Sequence, residues 1–208
     1  SIYEGLGVAD DLAFLELNPD GYDHVRIGDE RIDFCKGKDA LTDRLSARFP
    51  HQAQGIRGYL DLVSTIADEV KGGFNNSGAL DAVLLPKRMA TTLRWGMQPL
   101  SKTLEHFISD PLLREVLTIQ AGDHGLPASR APTALHATTA DHFFDGGYYP
   151  KGGAKAIPRA FIKALRRNGG DIKTSAEVAQ ILVRKEGWRG RRAYGVRLVD
   201  GTEITAKR

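Results

Sequence analysis

The sequence predicts an α+β fold, and three observations carry that prediction. Near the start, Val25 with Ile27 and Ile32 with Phe34 alternate on either side of Gly28-Asp29, which reads as antiparallel strands joined by a turn. From about Asp39 to Phe144 the apolar residues recur at three and four, the spacing of helices that bury one face. After Gly146-Gly147 the pattern becomes strand, helix, strand, strand, strand. The expected architecture is therefore a mostly helical region with a small antiparallel sheet, spanning 1–145, followed by a second region at 146–208.

Each element follows from local chemistry. Leu12, Phe14 (or Leu15) and Leu17 form an apolar set before the turn at Asn18-Pro19-Asp20-Gly21, so residues 1–35 read as a two- or three-stranded antiparallel piece. Leu41, Leu45 and Phe49 predict a helix that Pro50 closes. A longer helix is expected from about Gln52 to Val70, on the face of Ile56, Tyr59, Leu60, Val63, Ile66, Ala67 and Val70, with Gly72-Gly73 ending it. Phe74 to Gly78 reads as a loop. Three shorter helices follow, over Val83 to Trp95, Leu100 to Ile108 and Pro111 to Ala121. Asp110-Pro111 is a strong start signal, because Asp caps and Pro fits the first helical position. Gly122 to Pro132 is expected to be a loop, and Ala134 to Phe144 a helix.

The last third is the most informative. Gly152-Gly153 releases a helix whose apolar face is Ala154, Ile157, Ala160, Phe161, Ala164 and Leu165, and Gly169-Gly170 stops it. A helix start with little side-chain bulk suits an anionic or carbonyl-bearing ligand. Val178, Ile181 and Val183 predict a strand with an irregularity, since the first spacing is three rather than two. Asp200-Gly201 between Val196, Leu198 and Ile204 is a hairpin signal.

Composition narrows the function classes. Hydrophobic residues make up 41% and charged residues 26%, an ordinary globular balance. The net charge of +3 is too small to argue for nucleic acid, and the local excess at Arg184, Lys185, Arg189, Arg191 and Arg192 reads as a solvated hairpin tip. Cys35 is the single cysteine, which excludes an intrachain disulfide and is compatible with a reducing compartment. Cys35 reads as a small strand residue rather than a nucleophile. His136 and His142 with Asp141, and Asp123-His124 upstream, lack metal-ligand spacing, so no metal is expected. No G-x-S-x-G elbow occurs, and Ser77 has no identifiable base. Gly5 and Gly7 give G-x-G, but Asp10 falls at the third position and no apolar strand precedes it. The chain opens on Ser1 and stops just after a strand, so the expectation is the middle of a longer chain.

One family fits these motifs in order. YYPKGG, a short helix, GGDI, EVAQIL and GVRLVDGTEI resemble the carotenoid-type flavin oxidoreductases. These comprise phytoene desaturases, carotenoid isomerases and retinol saturases, within the amine-oxidase-like flavoprotein superfamily. The upstream stretch GDHGLPASRAPTALHATTADHFFDGGYYPKGG is most similar to the isomerase and saturase branch. The resemblance implies an α/β flavoprotein fragment lacking the family's N-terminal dinucleotide motif. Residues 1–145 would be a substrate-binding or lid region and 146–208 part of an FAD-binding domain. It implies FAD in the whole protein, though not in this segment alone, and a long apolar carotenoid- or retinoid-like substrate oxidised, reduced or isomerised at C–C or C=C bonds. It also implies site residues. Val178 and Glu177 would pass the adenine end of FAD, and Gly152 and Gly153 would lie where flavin and substrate meet. Tyr148, Tyr149 and His142 would lie on the substrate side, while Lys151 meets a phosphate or solvent.

Each assignment has a plainer counterpart: a core valine, turn glycines, strand packing, a helix histidine. The alternatives to this enzyme are a non-catalytic apolar-ligand or protein-interaction module, and an amine-oxidase-like flavoenzyme acting on another substrate. A cytoplasmic location is expected. An apolar substrate would come from lipid, which leaves peripheral membrane contact open although no span or anchor is seen.

Overall fold

The computed structural model describes residues 2–74, 79–187 and 190–206. Helices and antiparallel strands coexist, as an α+β fold requires. The chain groups into two compact units, residues 14–153 and residues 1–13 with 154–208. The sequence had suggested a division at 145/146. By compactness the strand after Gly147 falls with the helical unit and the first thirteen residues with the C-terminal elements.

The unit of residues 14–153 holds β1 (Phe14–Glu16), β2 (Asp23–Ile27), β3 (Glu30–Phe34) and β4 (Tyr148–Pro150) beside the helices α2 (Lys38–Arg48), α3 (Ala53–Phe74), α4 (Ala79–Arg88), α5 (Leu100–Phe107), α6 (Pro111–Thr118) and α7 (Thr133–Phe143). The β2–β3 hairpin forms as expected around Gly28-Asp29, with Val25 opposite Ile32. The first strand is the correction. Instead of joining that hairpin, β1 pairs antiparallel with β4, Leu15 against Tyr149 and Glu16 against Tyr148. A partner more than 130 residues away leaves no local signature.

α3 contributes more to this unit's core than any other element. Ile56, Tyr59, Leu60, Val63 and Ile66 are buried against Leu41, Leu45, Leu100, Leu104, Ile108 and Leu113. The helix runs through Gly72-Gly73, because Gly73 serves close packing: a Cβ there would lie 3.2 Å from the Met89 Sδ. Asp110 caps α6 as its sequence promised, accepting from the Leu113 N–H at 3.0 Å. The expected loop at Phe74 to Gly78, with Ser77, falls mainly outside the described residues.

The second unit contains α1 (Ile2–Gly5), α8 (Ala156–Arg167), β5 (Val178–Glu186), β6 (Gly190–Leu198) and β7 (Glu203–Thr205), the strands forming one antiparallel sheet in that order. The register shifts between Val178 and Gln180, so the three-residue spacing to Ile181 is a real bulge. Asp200-Gly201 makes the β6–β7 turn, Gly201 at φ +85° and Asp200 accepting from the Thr202 N–H at 2.9 Å. Around the hairpin tip, Arg184, Lys185 and Arg191 are exposed and Arg192 pairs with Glu186 at 2.8 Å; Arg189 lies outside the described residues.

Val8 packs on Ala160 and Ala164, and Tyr3 meets Phe161 at 6.4 Å, which seats the N-terminal segment on α8. Lys163 and Arg167 both donate to Asp11, and Arg167 also donates to the Gly7 carbonyl at 2.9 Å. The hydrogen bonds from Lys163, then Arg167, hold the Asp11 carboxyl below its ordinary value of 3.8. A lowered folded-state pKa gives stabilisation that is full above the ordinary value and is lost as pH falls through the lowered one. Asp11→Asn is therefore expected to loosen the segment at neutral pH, read as faster proteolysis near Gly7, with wild type reaching the same state only on acidification.

Candidate functional site around the Tyr148–Gly153 strand and turn

The site begins where α7 ends. Asp141 accepts from Lys71 at 2.6 Å, and Gly146, at φ +93°, turns the chain against the Lys36 side chain. His142, on the last turn of α7, is exposed. From here β4 runs beside β1, and the ladder continues as the Leu17 N–H donates to the Gly147 carbonyl at 2.9 Å.

Strand alternation separates the two tyrosines. Tyr148 lies opposite Glu16 in a polar cluster. Lys36 Nζ donates to Glu16 Oε1 at 2.6 Å and to the Tyr148 hydroxyl at 3.3 Å, which itself donates to Glu16 Oε1 at 3.4 Å. Lys36 holds the Glu16 carboxyl below its usual range, and Glu16 raises the Lys36 ammonium. Tyr149 points the other way, opposite Leu15 and beside Leu17, and this face is apolar and open: Leu15 is 54% and Tyr149 52% exposed. Cross-strand aromatic–aliphatic pairs of this kind are good apolar contact surfaces.

The glycines sit in the turn rather than in the helix. Gly152 and Gly153 adopt φ +90° and +84°, the Gly153 N–H donates to the Pro150 carbonyl at 3.0 Å, and α8 starts only at Ala156. The expected role at the helix's first turn is thus corrected: glycine is needed here for left-handed backbone. A Cβ would meet nothing within 4 Å at either position, so the peptide surface is open to close approach.

Glu177 and Val178 belong to the other unit. The Glu177 carbonyl accepts from Val199 at 3.0 Å, Val178 pairs with Leu198, and both side chains are exposed. Past the bulge, Ile181 and Val183 are exposed too. Among the described residues β5 is an edge strand, with one row of backbone groups unpaired. Tyr148, Tyr149, Gly152 and Gly153 thus share one strand and turn, His142 precedes them on α7, and Val178 and Glu177 sit on a separate element.

Several contributors were invisible in the sequence. Lys36 and Glu16 lie 20 residues apart and 112 or more from Tyr148, so only the fold reveals their cluster. His124 Nε2 and His136 Nδ1 lie 3.3 Å apart. Burial first, then the neighbouring His124, lowers the His136 pKa to about 4, which keeps that buried imidazole neutral. Cys35 is buried, and burial pushes its thiol up, consistent with a packing role.

Comparison with known proteins agrees with the sequence motifs. All-trans-retinol 13,14-reductase of Rattus norvegicus is 28% identical over 188 residues, covering 85% of this chain and 30% of that protein. Hydroxyneurosporene desaturase of Rubrivivax gelatinosus is 29% identical over 163 residues, 76% of this chain and 30% of that protein. The neurosporene-forming phytoene desaturase of Rhodobacter capsulatus is 40% identical over 62 residues, 30% of this chain and 11% of that protein. The chain thus spans about 30% of the length of the retinol reductases it matches. A Rab GDI crystal structure from Plasmodium falciparum aligns with 98% of this chain and 44% of its own at TM-score 0.47 and 14% identity. Residues 29–208 match the family described as flavin containing amine oxidoreductase, whose cofactor accords with the FAD expected for the whole protein. The chain belongs to the flavin containing amine oxidoreductase family.

Proposed function

We propose that this chain is part of an FAD-dependent oxidoreductase acting on C–C or C=C bonds of a long apolar, carotenoid- or retinoid-like molecule, and that it is inactive alone. The observation that carries the reading is the family match over 29–208 together with relatives named for retinol and carotenoid precursors. Those names favour an apolar substrate over an amine. FAD, when bound, supplies the two-electron transfer that carbon chemistry of this kind needs.

The chain's own residues would bind, orient and exclude water. Residues present fit the cofactor in two places. Gly152 and Gly153 leave peptide surface open, and the open edge of β5 at Val178, directly after Glu177, sets unpaired backbone groups beside an apolar side chain. On the substrate side, the apolar face of Leu15, Leu17 and Tyr149 supplies a wall, and the Lys36–Glu16–Tyr148 cluster fixes β4 from its opposite face. Under this proposal the exposed His142 also serves the substrate side. In this reading 1–145 is the substrate region and 146–208 belongs with the FAD-binding domain. A cytoplasmic protein touching membranes peripherally fits such a substrate. Among the described residues no helix is long and apolar enough to cross a membrane.

The test uses the protein from its full reading frame. An apolar polyene added without oxygen should change the flavin's visible band, oxidised or reduced flavin being the start according to the direction of reaction. Tyr149→Ala should raise KM several-fold with flavin content unchanged, whereas Tyr148→Phe should leave KM nearly unchanged. No response to any polyene or retinoid, with a response to amines instead, would overturn the substrate reading.

A further inference from the structure

From the structure we infer that the stripe of Pro86, Ala90, Leu93 and Met97, with Lys87 and Arg94 beside it, is a docking surface for an anionic lipid bilayer. This inference rests on the proposed apolar substrate, which would have to be drawn from lipid. The backbone continues helically past α4: the Met89 N–H donates to the Leu85 carbonyl at 2.9 Å and the Leu93 N–H to the Met89 carbonyl at 2.8 Å. A π-helical turn, Thr92–Gly96, follows. Spacings of four, three and four put Pro86, Ala90, Leu93 and Met97 on one face, and all four are exposed. Leu93 is 63% and Met97 81% exposed, far more than packing would leave on large apolar side chains.

The opposite side of this segment is already fixed, so the stripe cannot simply turn inward. Glu69 on α3 accepts from the Thr91 N–H at 3.1 Å, the Thr92 N–H at 2.7 Å and the Thr92 hydroxyl at 2.7 Å. Gly96 is buried, and a Cβ there would stand 3.1 Å from the Ala134 Cβ on α7. Just beyond, the Thr133 N–H and hydroxyl both donate to the Gln98 carbonyl at 3.0 Å. Clamped from below, the turn presents Leu93 and Met97 outward.

Charge selects the occupant. No Asp or Glu occurs between Asp81 and Glu105, while Lys87, Arg88, Arg94 and Lys102 all do. Lys87 and Arg94 are exposed beside the stripe, and the Arg94 guanidinium lies 5.5 Å from the ring of the half-buried Trp95. Apolar residues flanked by cations, with an aromatic ring at the same level, are the composition of an element that lies in a lipid interface. Each Lys or Arg near an anionic surface adds to that attraction, and salt weakens it.

The experiment follows the full-reading-frame protein onto vesicles of phosphatidylcholine with and without phosphatidylglycerol. Expected is partitioning to the anionic vesicles that falls with salt, and falls about tenfold or more in Lys87→Glu/Arg94→Glu and in Leu93→Glu/Met97→Glu, at unchanged Tm. Equal partitioning of wild type and both variants would overturn the inference, as would indifference to lipid charge. A marked Tm loss in Leu93→Glu/Met97→Glu with unchanged vesicle binding would also overturn it, since protein then covers the stripe. A flavoprotein that turns over substrate in micelles yet ignores vesicles sinks the docking surface alone. A protein without flavin that still partitions through Leu93 and Met97 sinks the proposed activity alone.

Discussion

Gly55→Ala is expected to destabilise the residue 14–153 unit by about 2 kcal/mol or more, although alanine is the better helix former. Gly55 lies in the first turn of α3, where α5 ends against it. A Cβ at this position would stand 2.0 Å from the Phe107 carbonyl oxygen and 3.1 Å from its carbon. Both are backbone atoms and cannot rotate away, so the helices must separate and disturb Ile56, Leu104 and Ile108 beneath them. The propensity gain of about 1 kcal/mol is outweighed.

Two neighbours on the same helix serve as controls. At Gly58 a Cβ would meet the Phe107 ring at 3.1 Å, and a ring can yield, so Gly58→Ala should cost less. A Cβ added at Gly72 would meet nothing within 4 Å, so Gly72→Ala should stabilise by about 0.5–1 kcal/mol. Denaturant midpoints of the three variants check the order. A Gly55→Ala protein as stable as wild type would contradict the packing described for α3 and α5.

Gly195→Ala is expected to peel β7 from its sheet, at a cost of about 1–3 kcal/mol. Gly195 lies on the central strand β6, opposite Thr205, and a Cβ would stand 2.5 Å from the Ile204 carbonyl oxygen and 3.1 Å from the Thr205 Cα. The pairs Val196–Ile204 and Arg197–Glu203 hold that backbone in place, so relief requires breaking the ladder. Hydrogen exchange at the β6 and β7 amides should accelerate. Because β5 and Val178 belong to the same sheet, the full-reading-frame variant should also lose flavin on dilution, under the proposed function. Gly201→Ala offers a comparison: its φ of +85° makes alanine strained, but the surrounding space is open. A cost near 1 kcal/mol is expected there, without loss of the ladder.

What could be read in the sequence follows how far apart the interacting residues lie. Asp200-Gly201, the Val178–Ile181 bulge, the Asp110 cap and the β2–β3 hairpin are set within a few residues, and each was legible. The pairing of β1 with β4 was not, because nothing near Leu15 announces a partner at Tyr149. Gly72-Gly73 looked like a stop and is instead a contact with Met89, a choice made by the incoming chain. The π-helical turn depends on Glu69, more than twenty residues upstream, which no periodicity reveals. Of the candidate site, the motifs named the residues on β4, its turn and β5. Only the fold divides Tyr148, held by Lys36 and Glu16, from Tyr149, which faces the apolar side with Leu15.

The measurement that bears most directly on the account is the flavin content of the protein purified from its full reading frame, denatured and assayed for released FAD per chain. The account predicts one FAD per chain in that protein and none in residues 1–208 alone. No flavin in the full protein, even after incubation with added FAD, would contradict it and leave an apolar-ligand or interaction module as the better description.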